Sequence, residues 1–451
     1  PSKPNILFIL TDDQTYNGIS ALNNPEVITP NMDALVDQGV TFTNAHILGA
    51  SSGAVCAPSR AMLMTGRSFF NLPISVCIPW TVPEEQNGDC PYITMPEVFR
   101  NAGYTTFGTG KQHNGTKIFH RGFTNGAKIF FGGMHNPKKG GHLKPVVHDF
   151  DPTGKYDNSY VGKKFSSELY SDAAVEFIVN YNEAAPFMMY VAYTAPHDPR
   201  MAPKKFVDMY PPEKISLPKN FLPQHPFDNG QLKIRDERLA PLPRTPERIK
   251  EEIGGYYAMI THLDQQIGRI LEALEKKGLK DNTIIVLASD NGLAVGQHGL
   301  LGKQNLYEHS TGVPLIFAGP NIPKGKRSDA LAYLHDIFPT LCDLTGLSIP
   351  ETVEANSLKP LIEGASENIR DAQFYAYLNT HRAVRKGDWK LIRYNVKGKK
   401  HIQLFNLEND PWEINNMAED KKYKAIIKEL NDLMVKLGKE KGDTEDWYYS
   451  L

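Results

Sequence analysis

Three sets of side chains could do chemistry together. The first is oxygen-rich: the run "NILFILTDDQ" ends in Asp12 and Asp13, and "TIIVLASDNG" ends in Asp290 and Asn291. Oxygen donors without a C-x-x-C or paired-histidine pattern suit a hard cation, Ca²⁺ or Mg²⁺, better than zinc. A divalent cation would also offset the mutual repulsion of three carboxylates that could not otherwise all stay ionised in a buried site. The second set is cationic: Arg60, one helical turn from Cys56; Lys111 and His113 in "GTGKQHNG"; His197 in "TAPHDP"; and Lys303 in "HGLLGKQNLYEH". A lone lysine or histidine is usually solvated surface. Gathered around a divalent ion, these five would bind and polarise a compact, multiply charged oxyanion. The third is Cys56, in "SSGAVCAPSRAMLMTGR". Pro58 suits the first position of a helix running through Ala61–Met64, which puts Cys56 near a helix N-terminus, where N–H groups and the dipole favour an anion. On its own residues Cys56 is either an activated nucleophile or a buried structural thiol.

These groups need a scaffold that brings them together. "NILFIL", "PFMMYVAY", "TIIVLAS" and "VPLIFAGP" are continuous apolar runs of strand length, as expected of strands buried on both faces of a parallel sheet. Helical patterns such as "SELYSDAAVEFIVNYNE" and "YYAMITHLDQQIGRILEALEKKG" separate them, which is the α/β signature. Ligands in such sheets gather beyond the carboxyl ends of the strands, and three of these runs end in Asp, Asn or His. From about residue 365 the texture becomes short β-rich runs divided by Gly, Asn and Asp turns, followed by a charged amphipathic helix. The predicted architecture is therefore a large domain, 1–365, with a mostly parallel central sheet between helices, and a smaller C-terminal α+β domain, 366–451, with an antiparallel sheet; the boundary falls in "LIEGASENIRD". The stretch 131–156 is long and rich in Gly, Pro, His and Lys, either a functional loop or a solvated one.

Composition excludes several classes. The chain has 451 residues, 41% hydrophobic and 22% charged, with a formal net charge of −1, an ordinary globular balance without a global preference for nucleic acid or membrane. No apolar run approaches the roughly 20 residues of a membrane span. No signal peptide is visible and the chain begins at Pro1, so a mature or trimmed exported form is one reading. Of the four cysteines, Cys342 falls in an apolar helix pattern, and Cys77 and Cys90 flank a Pro-rich loop that a disulfide could close in an oxidising compartment.

"CAPSRAMLMTGR" resembles the formylglycine signature of the type I sulfatases, C-x-P-S-R followed by T-G-R, through Cys56, Pro58, Ser59, Arg60, Thr65, Gly66 and Arg67. "NILFILTDDQ", "GKQH", "APHDP", "SDNG" and "HGLLGKQNLYE" match the same family in its usual order, and "RAVRKGDWKLIRY" and "LFNLENDPWEINNMA" resemble its C-terminal domain. The resemblance implies an alkaline-phosphatase-like fold and a sulfuric ester hydrolase. It implies that Cys56 is oxidised after translation to formylglycine by a formylglycine-generating or radical maturation enzyme, and that the hydrated aldehyde is the nucleophile. Asp12, Asp13, Asp290 and Asn291 would hold the metal, most often Ca²⁺ in the family, with Mg²⁺ the alternative. Arg60 and Lys111 would stabilise the formylglycine and the sulfuryl charge. His197, or Lys303 beside it, would protonate the leaving oxygen, and His113 would take the proton when sulfate is expelled. The texture also resembles bacterial sulfatases acting on glycans, implying a sulfated saccharide substrate and a periplasmic or secreted location, without nucleic-acid or membrane-spanning partners. His135 and His142 in the 131–156 loop, His298, and the segment His381, Arg382 and Arg385 are the expected saccharide contacts. An arylsulfatase, a phosphonate or phosphodiester hydrolase of the same superfamily, and an inactive sulfated-glycan binding protein are the competing readings.

Overall fold

The computed structural model describes residues 3–451. Its fifteen strands are β1 (Asn5–Thr11), β2 (Gly39–His46), β3 (Gly49–Ala50), β4 (Thr105–Lys111), β5 (Asn125–Phe130), β6 (Val146–His148), β7 (Ser159–Val161), β8 (Phe187–Ala192), β9 (Thr283–Ser289), β10 (Leu315–Ala318), β11 (Lys326–Tyr333), β12 (Ala372–Tyr377), β13 (His381–Lys386), β14 (Trp389–Val396) and β15 (Lys399–Asn406). The helices that matter here are α1 (Pro30–Gln38), α2 (Cys56–Thr65), α3 (Ser166–Asn180), α4 (Pro246–Lys276), α5 (Ile337–Thr345) and α6 (Lys424–Lys441).

Ten strands form the large sheet in the order β11-β2-β10-β9-β1-β8-β4-β5-β6-β7. Every residue of β1 is buried, and its side chains alternate between two cores. Ile6, Phe8 and Leu10 pack on the face that carries Leu63 of α2 and Phe338 and Leu341 of α5. Leu7 and Ile9 pack on the other face, against Leu35, Ala173, Leu263 and Ile267 of α1, α3 and α4. Each such buried side chain contributes about 1.5–3 kcal/mol, which is why the run is apolar without alternation. β1 pairs in parallel with both β8 and β9, so the segments after three of the predicted runs emerge side by side. The fourth run differs from expectation: β10 lies antiparallel to β2 and β9. The sheet is mostly parallel, with antiparallel pairing also at its β5–β6–β7 edge.

The small sheet has the order β15-β14-β13-β12-β3. Four of its strands form an antiparallel meander, and Ile427, Leu430 and Met434 of α6 cover one face at helical spacing. The fifth, β3, comes from the N-terminal part of the chain and pairs in parallel, Gly49 opposite Ala376 and Ala50 opposite Tyr377. A Cβ on Gly49 would lie 1.8 Å from the Ala376 oxygen, so only glycine fits this crossing. Cys77 and Cys90 are free thiols packed in the same apolar cluster, and Cys342 is core.

Candidate active site

Helix α2 is buried along its whole length and begins at Cys56, with Val55 as N-cap; the predicted start at Pro58 is two residues late. Pro58 is tolerated because the first four helical N–H groups have no intrahelical acceptor. The helix stops at Gly66, which adopts the left-handed conformation with φ 66°. The thiol of Cys56 is almost fully buried, with Sγ 3.3 Å from Lys111 Nζ and 3.3 Å from His113 Nδ1. Burial pushes the thiol pKa up, against the pull of Lys111 and Lys303. The unmodified thiol is therefore a poor nucleophile here, despite its place at a helix N-terminus.

The polar ends of β1, β8 and β9 converge beside it. Asp12, Asp13, Asp290 and Asn291 are all buried. Lys111 Nζ donates to Asp12 Oδ2 at 2.6 Å, and Lys303 Nζ to Asp13 Oδ1 at 2.5 Å. Asn291 Nδ2 donates to Asp13 Oδ1 at 2.7 Å. Arg60, one turn along α2 from Cys56, donates through Nε to Asp290 Oδ2 at 2.8 Å and through Nη1 to the Lys111 carbonyl at 2.6 Å. Ser59 Oγ donates to the Asp290 carbonyl at 2.5 Å. The signature helix thus grips the strand ends directly. His197 Nε2 lies 3.7 Å from Asp13 Oδ2, and Nδ1 bonds the Asp198 carbonyl at 2.9 Å. The structure brings together every member of the expected oxygen and cationic sets. Asp13 and His113 both take positive φ, 67° and 62°, a conformation that non-glycine residues adopt mainly where surrounding structure holds them.

Two observations fit a bound hard cation. Asp12 Oδ1 and Asn291 Oδ1 are buried oxygens with no hydrogen-bond partner, a costly state for polar atoms unless a ligand takes them. Oxygens of Asp12 and Asp290 and Sγ of Cys56 also lie within 4.8 Å of one another. Burial and the Asp290 charge raise the pKa of Asp12 to about 6, the repulsion that a cation would remove. Burial also pushes Asp13 upward, but Lys303 and His197 outweigh it and hold Asp13 below the usual range. His113 is held well below the ordinary imidazole range by burial and by Lys111 and Arg60, and is therefore neutral.

Above this floor opens a cleft of about 760 Å³, lined by Cys56, His113, His197 and Lys303, by Trp80 and Glu84, and by Phe131–Met134, His148, Lys155–Asp157, Arg235, Asp236 and Gln304. None of the six expected saccharide contacts lines it. His142 lies beneath, bonding Ser166 Oγ at 2.8 Å and the His197 carbonyl at 2.9 Å, and His135 bonds Tyr170 OH at 2.9 Å. His298 stacks on Tyr307 and bonds the Glu413 carbonyl. His381 bonds the Asn229 carbonyl, Arg382 pairs with Asp443, and Arg385 reaches Glu308. Their polar atoms serve the fold: strand pairing in β13 turns His381, Arg382 and Arg385 into the core, while His135, His142 and His298 are buried from loops and turns. The 131–156 loop does wall the cleft, through residues other than its two predicted histidines. Trp80, Glu84, Asp157, Arg235 and Asp236 were missed: nothing in their local sequence separates them from ordinary loop residues.

Residues 4–347 match the family model described as Sulfatase, and residues 296–440 match that described as N-sulphoglucosamine sulphohydrolase, C-terminal. The chain is 33% identical to a sulfatase of Formosa agariphila over 96% of this chain and 87% of that one. It is 28% identical to an N-acetylglucosamine-6-O-sulfatase of Bacteroides thetaiotaomicron over 98% and 88%. A protein solved in complex with its substrate D-glucosamine-2-N,6-O-disulfate superposes with a TM-score of 0.81 at 25% identity, covering 98% of this chain and 99% of that one. With the fold alkaline-phosphatase-like and the match running through both sheets, the chain belongs to the sulfatase family, enzymes that hydrolyse sulfuric esters.

Proposed function

We propose that the protein removes sulfate from a sulfated carbohydrate, using a formylglycine made from Cys56 and a Ca²⁺ or Mg²⁺ ion held by Asp12, Asp13, Asp290 and Asn291. The observation that carries this reading is the pair of orphaned oxygens, Asp12 Oδ1 and Asn291 Oδ1, in an all-oxygen donor set beside position 56 at the foot of an open cleft. When present, the hydrated aldehyde supplies a diol oxygen as nucleophile, and the cation supplies positive charge for the sulfate oxygens.

The chain's own residues do the rest. Lys111 places its ammonium against the side chain at position 56. Arg60 fixes Asp290 and the Lys111 backbone in one grip. Neutral His113, with Nδ1 toward position 56, receives the proton given up there. His197 and Lys303 both line the cleft; His197, or Lys303 beside it, delivers the proton to the departing alcohol oxygen, and Lys303 is available as the protonated ammonium because Asp13 outweighs its burial. A glycan substrate supports a periplasmic or secreted location, and the reading requires that a formylglycine-generating or radical maturation enzyme has acted on Cys56.

The test is sulfate release by matured protein from monosulfated saccharides, measured by ion chromatography beside an aryl phosphodiester. Release from the saccharides, its loss in Cys56→Ala, and the mass change of thiol-to-aldehyde conversion in the Cys56 peptide are expected. Faster phosphodiester cleavage, or turnover retained by Cys56→Ala, would overturn the reading.

A further inference from the structure

The cleft carries a feature that sulfate chemistry does not use. Trp80 sits in the short turn Pro79–Thr81, and its side chain is half exposed, at 50%, although it lies in the cleft beside Cys56. One part of the indole stacks on the His113 imidazole, with centroids 5.2 Å apart and planes 20° from parallel. Gly133 also abuts that imidazole: a Cβ there would lie 2.7 Å from His113 Nε2. The ring that receives the proton is therefore flanked by the indole and the Gly133 backbone. The uncovered part of the indole is a large apolar surface left open to solvent, at a place where the alcohol portion of a sulfate ester must lie. Lys155, Glu84 and Asp157 line the same cleft and are exposed, and their side chains have no ion-pair or hydrogen-bond partner among the described residues.

We propose that Trp80 is the platform on which the ring of a monosulfated pyranose stacks, with Glu84 and Asp157 accepting hydrogen bonds from its free hydroxyls. This rests on the sulfatase reading above and names the class of alcohol. A pyranose has an apolar C–H face for the indole and a rim of hydroxyl donors for the two carboxylates. An aryl group would stack but leave both carboxylates without donors, and a site built for hydroxyls discriminates against ligands that lack them. A quaternary ammonium alcohol would suit the indole and the carboxylates, but it is small for a cleft of about 760 Å³ and would meet the free Lys155 ammonium.

The test uses matured protein with N-acetylglucosamine 6-sulfate, galactose 6-sulfate and choline sulfate. Trp80→Ala is expected to raise KM for the better saccharide about tenfold, equivalent to about 1.4 kcal/mol, while Trp80→Phe stays within about threefold because a ring remains. A second arm needs no turnover. Indole fluorescence of Cys56→Ala should respond to the saccharide sulfates, and that response should vanish in Cys56→Ala/Trp80→Phe. KM unchanged in Trp80→Ala while sulfate is still released would overturn the platform and leave the sulfatase reading intact. A fluorescence response without sulfate release by the matured protein would overturn the sulfatase reading and leave the platform. Choline sulfate as the best substrate, or no fluorescence response to either saccharide, would overturn the proposed ligand class.

Discussion

Arg382 separates a structural from a substrate-binding role by a measurable amount. Its guanidinium is buried, and it donates to Asp443 through Nε at 2.5 Å and Nη2 at 2.9 Å. Nη1 donates to the carbonyls of Leu378 and His381, each at 2.8 Å, and Tyr448 OH donates to Asp443 Oδ2 at 2.8 Å. The cluster ties β13 to the segment after α6. Arg382→Ala would leave the Asp443 carboxylate buried with the tyrosine hydroxyl as its remaining side-chain donor, and would remove a donor from the Leu378 and His381 carbonyls. Breaking a buried pair in this way costs about 3–5 kcal/mol, whereas replacing both partners by apolar groups is often close to neutral. The expected result is a loss of about 3–5 kcal/mol in urea unfolding for Arg382→Ala, and recovery of most of it in Arg382→Met/Asp443→Leu. kcat/KM of the folded variants should stay within about twofold of wild type, because Arg382 does not line the cleft. A loss below about 1 kcal/mol would refute the energetics. A large fall in kcat/KM with stability unchanged would restore Arg382 to the substrate.

Removing divalent cations with a chelator should abolish activity, and Ca²⁺ added back at pH 6 should displace about half a proton per ion, since Asp12 titrates at about 6 without it; calorimetry in buffers of different ionisation enthalpy reads this, and equal release at pH 6 and pH 8 would refute it. Gly133→Ala should lower kcat about tenfold or more with little change in melting temperature, because the new methyl group must displace the His113 ring; an unchanged kcat would show that the ring position is not critical. Burial holds His142, His225, His298 and His381 at about 4, so below pH 6.5 the unfolded chain takes up protons that the folded chain does not. Each then destabilises by about 2 kcal/mol at pH 5, offset in part by Asp12 and Glu413, raised by burial to about 6 and about 7; the melting temperature should fall from pH 7 to pH 5, and a flat profile would contradict this.

The parts of the molecule legible in its sequence are those set by short-range pattern. Continuous apolar runs identify β1, β8 and β9, and the polar residues that end them become one site because those strands are neighbours. The four residues C-terminal to Cys56 bring Ser59 and Arg60 onto Asp290, so a local motif carries tertiary contacts with it. The expected saccharide contacts lie off the cleft for the opposite reason. Whether Arg382 faces a ligand or Asp443, 61 positions away, depends on strand pairing and on where the chain returns after α6. Trp80 lies in a Pro-rich turn without periodicity, so neither its exposure nor its neighbour His113 could be read.

The pairing of Gly49–Ala50 with β12 sets an order in time. During synthesis the segment leading into Cys56 has no strand to lie against until the residues around 376 have been made. Such distant pairings form late, because the chain between them must first be closed into a loop. In the finished fold Cys56 is 2% exposed, so the maturation enzyme proposed above would have its opportunity before that closure. On that proposal, slowing the final strands would lengthen the interval in which position 56 is open to conversion, and faster folding would leave a larger fraction of molecules with Cys56 as the thiol.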